Sequence, residues 1–379
     1  METTAPAAER APAERTAAER DAAEKTDLTA LSEAELEAFA EDRGQPSYRG
    51  RQLFRWLYDK GARSFADMTS LPKDFRRRLA ETARIGTLEP IEQHTADDET
   101  IKTLFRLPSG REIETVLIPA LDERGEAQRL TVCVSSQVGC AMGCAFCATG
   151  LMGFQENVPA GLIYEQVRRM DALAEERYGR GVSNVVFMGM GEPLLNYDGV
   201  LRSIGLLTHE KARFGLSPRR ITVSTVGLAR RIRDLADDDP GSRLAVSLHA
   251  PTDEQRSAIM PVNESEKTDL GALEGALRHY HQQTGREVTY EYCLFHHFND
   301  SETDAERLAD IARWVPSKVN LLMYNPVAGI ADFERTTEAR LDAFAGALAR
   351  QGVTVTVRRS RGRDIDAACG QLKRLSKDE

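Results

Sequence analysis

Three cysteines crowded between positions 140 and 147 are the densest group of reactive side chains in the sequence. The segment reads Cys140-Ala-Met-Gly-Cys144-Ala-Phe-Cys147, and thiolates at this spacing can wrap a single iron–sulfur cluster. A four-iron cluster bound wholly by protein uses four cysteines, so three leave one iron open to a small ligand. Structural zinc is the competing reading. It needs four ligands in paired spacings, and no further Cys or His stands inside this loop. Three buried thiols without a role are the bland alternative, disfavoured by how readily free thiols oxidise or take up metal. Cys133, Cys293 and Cys369 complete the set of six. Such clustering, without a secretory leader, points to metal or catalysis rather than a disulfide framework.

Such a loop must be held by regular elements, and the chain supplies them. Residues 1–27, built from Ala, Glu and Arg blocks without aromatics, cannot bury enough to fold alone and are expected to be a disordered tail. Residues 28–95 are expected to form a small helical accessory domain. Between Tyr48 and Arg78 nine Lys or Arg face three Asp, with Tyr48, Phe54, Trp56, Tyr58 and Phe65 among them. That composition suits an RNA-contacting module, and equally a helical domain with core aromatics and a solvated basic face. Residues 96–357 begin with a hairpin (101–107 and 113–118, turning at Pro108-Ser109-Gly110). Short apolar strands then alternate with amphipathic helices, the pattern of a parallel sheet with helical crossovers. The strands are expected at 131–135, 184–188, 220–225, 243–248, 288–295, 318–324 and 353–357. Six or seven units are too few for a closed eight-unit barrel, so the fold class is α/β, an open partial (β/α)6-type barrel with its site at the carboxyl ends of the strands. Residues 358–379 form a C-terminal tail carrying Cys369, flanked by Gly and able to fold over the barrel mouth.

After the second parallel strand comes Gly189-Met190-Gly191-Glu192-Pro193. A dinucleotide fingerprint would need Gly at 194, which is Leu194, so that reading fails. Together the cysteine spacing and this segment resemble the radical S-adenosylmethionine superfamily and its GEP motif. Further segments are more specific: Cys133-Val-Ser-Ser-Gln-Val-Gly-Cys140, Ser247-Leu248-His249-Ala250, and Arg361-Gly-Arg-Asp-Ile-Asp-Ala-Ala-Cys369-Gly-Gln-Leu372. Over roughly residues 45 to 372 the chain resembles the adenine-C2 methyltransferases of 23S ribosomal RNA, whose bacterial members often act on transfer RNA as well.

That resemblance implies a radical barrel, a [4Fe-4S] cluster on Cys140, Cys144 and Cys147, and two S-adenosylmethionine molecules per turnover. Cys369 would take a methyl group from the first; the second would be cleaved at the cluster to a radical that activates the S-methyl carbon for attack on adenine C2. Cys133 would then resolve the Cys369–RNA adduct, leaving a Cys133–Cys369 disulfide for reduction. Glu114 matches the proposed proton acceptor; otherwise it reads as an exposed strand carboxylate. Gly191, Glu192, Ser224, Ser247, Leu248, His249 and Asn325 match cofactor-contacting positions, although His249 alone could be a satisfied structural histidine. Cys293 has no match and reads as core packing. Arg358, Arg359, Arg361 and Arg363 in the tail suit phosphate contact or plain solvation. Implied partners are 23S ribosomal RNA, transfer RNA and a flavodoxin- or ferredoxin-type electron donor. A C8-methylating relative and a noncatalytic iron–sulfur RNA-binding protein are the alternatives.

Composition sets outer limits. A net charge of −9 over 379 residues argues modestly against nucleic acid, but local patches outweigh totals. No apolar run approaches the roughly 18 residues of a membrane span. The Ala/Glu-rich start lacks a signal-peptide core. The expectation is a cytoplasmic monomer without membrane contact.

Overall fold

A computed structural model describes residues 25–330 and 332–372. The expected N-terminal tail therefore lies almost wholly outside the described residues, as do residues 373–379 of the C-terminal one. The chain divides into two compact units.

The smaller unit comprises the described residues up to Leu57 together with Ala62–Gly86. Its helices are α1 (Glu33–Glu41), α2 (Tyr48–Phe54) and α3 (Lys73–Thr82). A capping box starts α1: Ser32 Oγ accepts from the Glu35 amide while the Glu35 carboxylate accepts from the Ser32 amide. Leu36, Leu53, Phe54, Phe75 and Leu79 close the core. Phe54 is thus a packing residue, and Trp56 is half-buried with its indole N–H on Ser70 Oγ at 2.8 Å. Arg63, Lys73, Arg76 and Arg77 line a recess of this unit.

The larger unit holds Tyr58–Gly61 and everything from Thr87 onward. The accessory boundary thus falls at residue 86, not 95. The cause is β1 (Glu89–Thr95), a wholly exposed polar strand pairing antiparallel with β2 (Ile101–Arg106). No apolar alternation marked it. β3 (Glu112–Leu121) and β4 (Ala127–Cys133) continue the meander.

From β4 the sheet turns parallel. A short ladder, β5 (Gln137–Gly139) with β6 (Phe154–Asn157), brackets the cysteine loop. Then come α4 (Ala160–Tyr178), β7 (Asn184–Phe187), α5 (Tyr197–Thr208), β8 (Ile221–Thr225), α6 (Ala229–Asp238) and β9 (Arg243–Ser247). α7 (Asp253–Ile259), α8 (Leu270–Thr284), β10 (Val288–Leu294), α9 (Glu302–Ala312), β11 (Ser317–Met323), α10 (Glu338–Arg350) and β12 (Val355–Arg358) follow. The ten strands run β12-β11-β10-β9-β8-β7-β4-β3-β2-β1, so β12 and β1 are open edges and the barrel is partial. The central strands are apolar on both faces because helices cover one side and the barrel interior lies on the other; every residue of β10 except Cys293 is buried. The later helices begin on side-chain caps, such as Asp269 accepting from Ala272 N–H at α8 and Ser301 paired reciprocally with Asp304 at α9. Among the described residues no helix is long and apolar enough to cross a membrane.

Candidate active site

An open cavity of about 1060 Å³, its mouth included, lies at the carboxyl ends of the parallel strands. Register explains its walls. Ser247 pairs with Glu291, and Glu291 with Asn320; two residues on, Cys293 pairs with Leu322, and Leu322 with Arg358. Paired residues, and residues two apart, share a sheet face. Ser247, Glu291, Cys293, Leu322 and Arg358 accordingly line the cavity, with Ser224 from β8.

Cys140, Cys144 and Cys147 all line one side. Their loop is closed by the β5–β6 ladder and by the Cys140 N–H on Gly153 O at 3.1 Å. Gly139 has φ +70°, and a Cβ there would sit 1.8 Å from Gly153 O, so only glycine lets the two strands meet. Burial pushes the Cys140 thiol up to about 12 and raises Cys144 and Cys147 too; the Cys140 and Cys147 charges add to the effect at Cys144. Deprotonating this trio therefore needs a cation to supply what water cannot. Among the described residues no three Cys, His, Asp or Glu side chains gather as ligands of one ion would. Three cysteines on one loop fit three corners of a cluster, whereas structural zinc takes four protein ligands.

Glu192 stands beside them. Gly191, at φ +97°, brings the backbone so close that a Cβ would lie 2.5 Å from Gln137 Cβ. Gln137 Oε1 then accepts from Glu192 N–H at 2.9 Å. The carboxylate accepts from Leu194 N–H at 3.0 Å and Val226 N–H at 2.9 Å, and burial pushes it up to about 7 against those bonds. A buried carboxylate on a cavity wall suits an ammonium partner. Asn325 offers an Oδ1 that is buried and, among the described residues, has no hydrogen-bond partner. His249 sits at φ +56°, a strained conformation for a non-glycine residue. Its Nδ1 accepts from Cys293 N–H at 3.0 Å, which fixes the neutral tautomer with its proton on Nε2, and burial holds it down at about 3. These residues provide an anion, neutral acceptors and a donor around an open space, matching the groups of S-adenosylmethionine.

The tail is docked in this cavity. Gly370 O accepts from Ala148 N–H at 2.8 Å, Leu372 O from Thr149 Oγ1 at 2.6 Å, and Cys369 O from Asn325 Nδ2 at 3.4 Å. Lys102 Nζ donates to Asp366 O at 3.1 Å. Cys369 is an exposed residue that lines the same cavity as the three cysteines, its neighbour Gly370 bonded to Ala148 beside Cys147. Its crowded surroundings raise the thiol above the ordinary range, while the Arg358 guanidinium pulls the other way. Cys133 closes β4 just outside the lining. Burial pushes its thiol up to about 12, the Cys369 charge adds to that, and Arg358 opposes both. Arg358 thus acts on both thiols, and its Nη1 lies 3.4 Å from Glu291 Oε2.

Besides Cys133, two expected residues lie away from the lining. Leu248 is fully buried. Glu114 shares a sheet face with Cys133 and is ion-paired to Lys102 Nζ at 3.1 Å, buried rather than exposed. All six cysteines are free thiols. Cys293 corrects the sequence reading: it is half-buried and lines the cavity instead of filling the core. Arg358 is another correction, since it ends β12 and faces the cavity, not the free tail. Cys293 shares strand parity with Glu291, and only the register with β9 and β11 turns that face to the cavity.

Residues 26–85 match the family described as Ribosomal RNA large subunit methyltransferase N-terminal domain, and residues 134–309 match the Radical SAM superfamily. The chain is 62% identical to a probable dual-specificity RNA methyltransferase RlmN of Salinibacter ruber, over 93% of this chain and 95% of that one. It is 46% identical to the protein of the same description from Thermosynechococcus vestitus, over 91% and 98%. The structure is similar to the crystal structure of a radical SAM methyltransferase from Sphaerobacter thermophilus, with a TM-score of 0.84 at 44% identity, covering 92% of this chain and 99% of that one.

Proposed function

The chain belongs to the RlmN family of radical S-adenosylmethionine methyltransferases, and from that premise we propose that it methylates C2 of an adenine in 23S ribosomal RNA and in transfer RNA through an S-methylated Cys369. The observation that carries this reading is the placement of Cys369 in the same cavity as Cys140, Cys144 and Cys147, with Cys133 and Arg358 beside it. When bound, a [4Fe-4S] cluster on the three cysteines supplies the one-electron chemistry by which S-adenosylmethionine makes a sulfur-bound methyl reactive toward an aromatic carbon.

The chain's own residues do the rest. Glu192 holds the ammonium of the cofactor, and Asn325 Oδ1, Ser224, Ser247 and the His249 imidazole position its remaining polar groups. Arg358, anchored on Glu291, favours the Cys369 thiolate, the form that displaces a methyl group from a sulfonium. The docked tail, bonded to Ala148 and Thr149 just after Cys147, holds that methyl inside the cavity that Glu192 and the three cysteines line. After the methyl carbon has joined the base, the Cys133 thiolate attacks the Cys369 sulfur: the S–S bond forms as the bond from that sulfur to the carbon breaks, and the carbon takes up a proton, which frees the methylated RNA and leaves a Cys133–Cys369 disulfide. Glu114, on the Cys133 face of the sheet, accepts the proton lost from the base carbon. One methyl is loaded onto sulfur and one cofactor is cleaved, so two S-adenosylmethionine molecules serve each turnover. Reducing equivalents come from a flavodoxin- or ferredoxin-type donor, and the protein acts as a cytoplasmic monomer.

RNA contact is supported by two basic recesses. Arg335, Arg359 and Arg363 line one that shares Met323 and Arg358 with the cavity, and the smaller unit carries Arg63, Lys73, Arg76 and Arg77 in another. A target adenine must leave its stack to enter such a cavity. The test is nucleoside mass spectrometry of 23S and transfer RNA after anaerobic turnover. 2-Methyladenosine in both supports the reading; 8-methyladenosine, or no modified base, refutes it.

A further inference from the structure

Arg256, on α7, is fully buried at 0% exposure. All its bonded acceptors are neutral: Nη1 donates to Asn263 Oδ1 at 2.6 Å and to Thr268 O at 2.9 Å, and Nη2 donates to Val226 O. Its Nε is buried and, among the described residues, has no hydrogen-bond partner. Asp253, one turn earlier, is exposed and accepts from Leu270 N–H at 2.8 Å instead. A buried guanidinium whose bonds all end on neutral acceptors is among the costlier arrangements a fold can keep, and the exposed Asp253 charge offsets only part of that cost. Burial pulls Arg256 down only to about 10, so it remains a cation at neutral pH.

The packing shows where its counter-charge belongs. α7 lies against the cysteine loop: Ile259 O accepts from Ala145 N–H at 3.0 Å, between Cys144 and Cys147. Arg256 also holds the carbonyl of Val226, whose N–H binds Glu192 Oε2 at 2.9 Å.

We infer that Arg256 is the counter-ion of the cluster thiolates, a positioning residue whose charge eases reduction of the cluster from a site that touches neither cofactor nor RNA. The inference rests on Cys140, Cys144 and Cys147 holding that cluster. Reduction adds one negative charge to the cluster, and a fixed cation in a dry setting favours the more negative state. A neutral replacement should therefore make the cluster harder to reduce, whereas lysine, which keeps the charge and loses the forked hydrogen bonds, should not.

The test is potentiometry of the reconstituted cluster, followed by electron paramagnetic resonance, in wild type, Arg256→Gln and Arg256→Lys. Arg256→Gln is expected to shift the one-electron reduction equilibrium against the reduced form by about tenfold or more, about 59 mV for each tenfold step. Arg256→Lys is expected to stay close to wild type. An unshifted Arg256→Gln cluster, or equal shifts in both variants, overturns the proposal. Cluster uptake is the second readout: loss in Arg256→Gln with retention in Arg256→Lys supports the role of charge, and equal loss in both overturns it. Wild-type protein that takes up no cluster would instead refute the role given to the three cysteines.

Discussion

Replacing Lys102 with Met should be far more costly than the loss of an ordinary surface ion pair. Lys102 and Glu114 approach to 3.1 Å with both side chains about 6% exposed. Removing Lys102 takes from the buried Glu114 carboxylate its close cation, and losing one partner of a buried pair costs about 3–5 kcal/mol, against about 0–1 kcal/mol for exposed pairs. Lys102 also donates to Asp366 O in the tail that carries Cys369. Two readouts should therefore move. In urea unfolding of the metal-free protein, Lys102→Met should lose about 3–5 kcal/mol. Adding Glu114→Leu to it should recover most of that loss, because an apolar pair of similar volume often replaces a buried ion pair without penalty. With one tail tether gone, Cys369 should be alkylated by iodoacetamide faster in the single variant. A loss below about 1 kcal/mol, or a double variant no more stable than the single one, would refute the reasoning.

Other consequences can be measured alongside. Glu192→Ala removes a buried, doubly hydrogen-bonded carboxylate; S-adenosylmethionine affinity by calorimetry should fall by about 10- to 150-fold, the equivalent of about 1.5–3 kcal/mol, with cluster absorbance unchanged. Asp300 is held below its ordinary carboxyl value: burial alone would raise it, but the Arg340 fork at 2.7 Å and the Thr336 hydroxyl outweigh that. A depressed folded value means stability present above the unfolded value of 3.8 and lost as pH falls through the folded one. Acid unfolding of Asp300→Asn should accordingly be less steep there than wild type. Arg359→Gln and Arg363→Gln should each make the salt dependence of RNA binding shallower, by about 0.7–0.9 in log–log slope per lost phosphate contact; an unchanged slope would remove that recess from the RNA path.

The parallel core was legible because its strands are apolar on both faces and its helices carry one apolar stripe. The strands from 184 to 324 fall within a residue or so of the positions expected from those patterns. The cysteine loop and the Gly191-Glu192 segment were legible because their chemistry is written in spacing. β1 was not, since Glu89–Thr95 buries nothing and its pairing with β2 leaves no hydrophobic signature. The β5–β6 ladder was hidden for another reason: β5 is buried, but the ladder is held by the close approach of Gly139 and Gly153 rather than by an apolar pattern. Cys293 and Glu291 reach the cavity through strand register with Leu322 and Ser247, information that arises only when neighbouring strands are aligned. Arg256 was invisible because an Arg on a polar helix reads as solvated until the packing buries it. Lys102 and Glu114 lie on different strands, so only the antiparallel register brings them together.

The central claim, that the methyl group passes through Cys369, is tested most directly by following labelled methyl from S-adenosylmethionine into a 23S RNA fragment with anaerobically reconstituted wild-type and Cys369→Ala proteins. The account predicts labelled 2-methyladenosine and 5′-deoxyadenosine from wild type, a labelled methyl on the Cys369 peptide before RNA is added, and no methylated base from the variant although its cluster absorbance is intact. A Cys369→Ala protein that methylates RNA as well as wild type would contradict it.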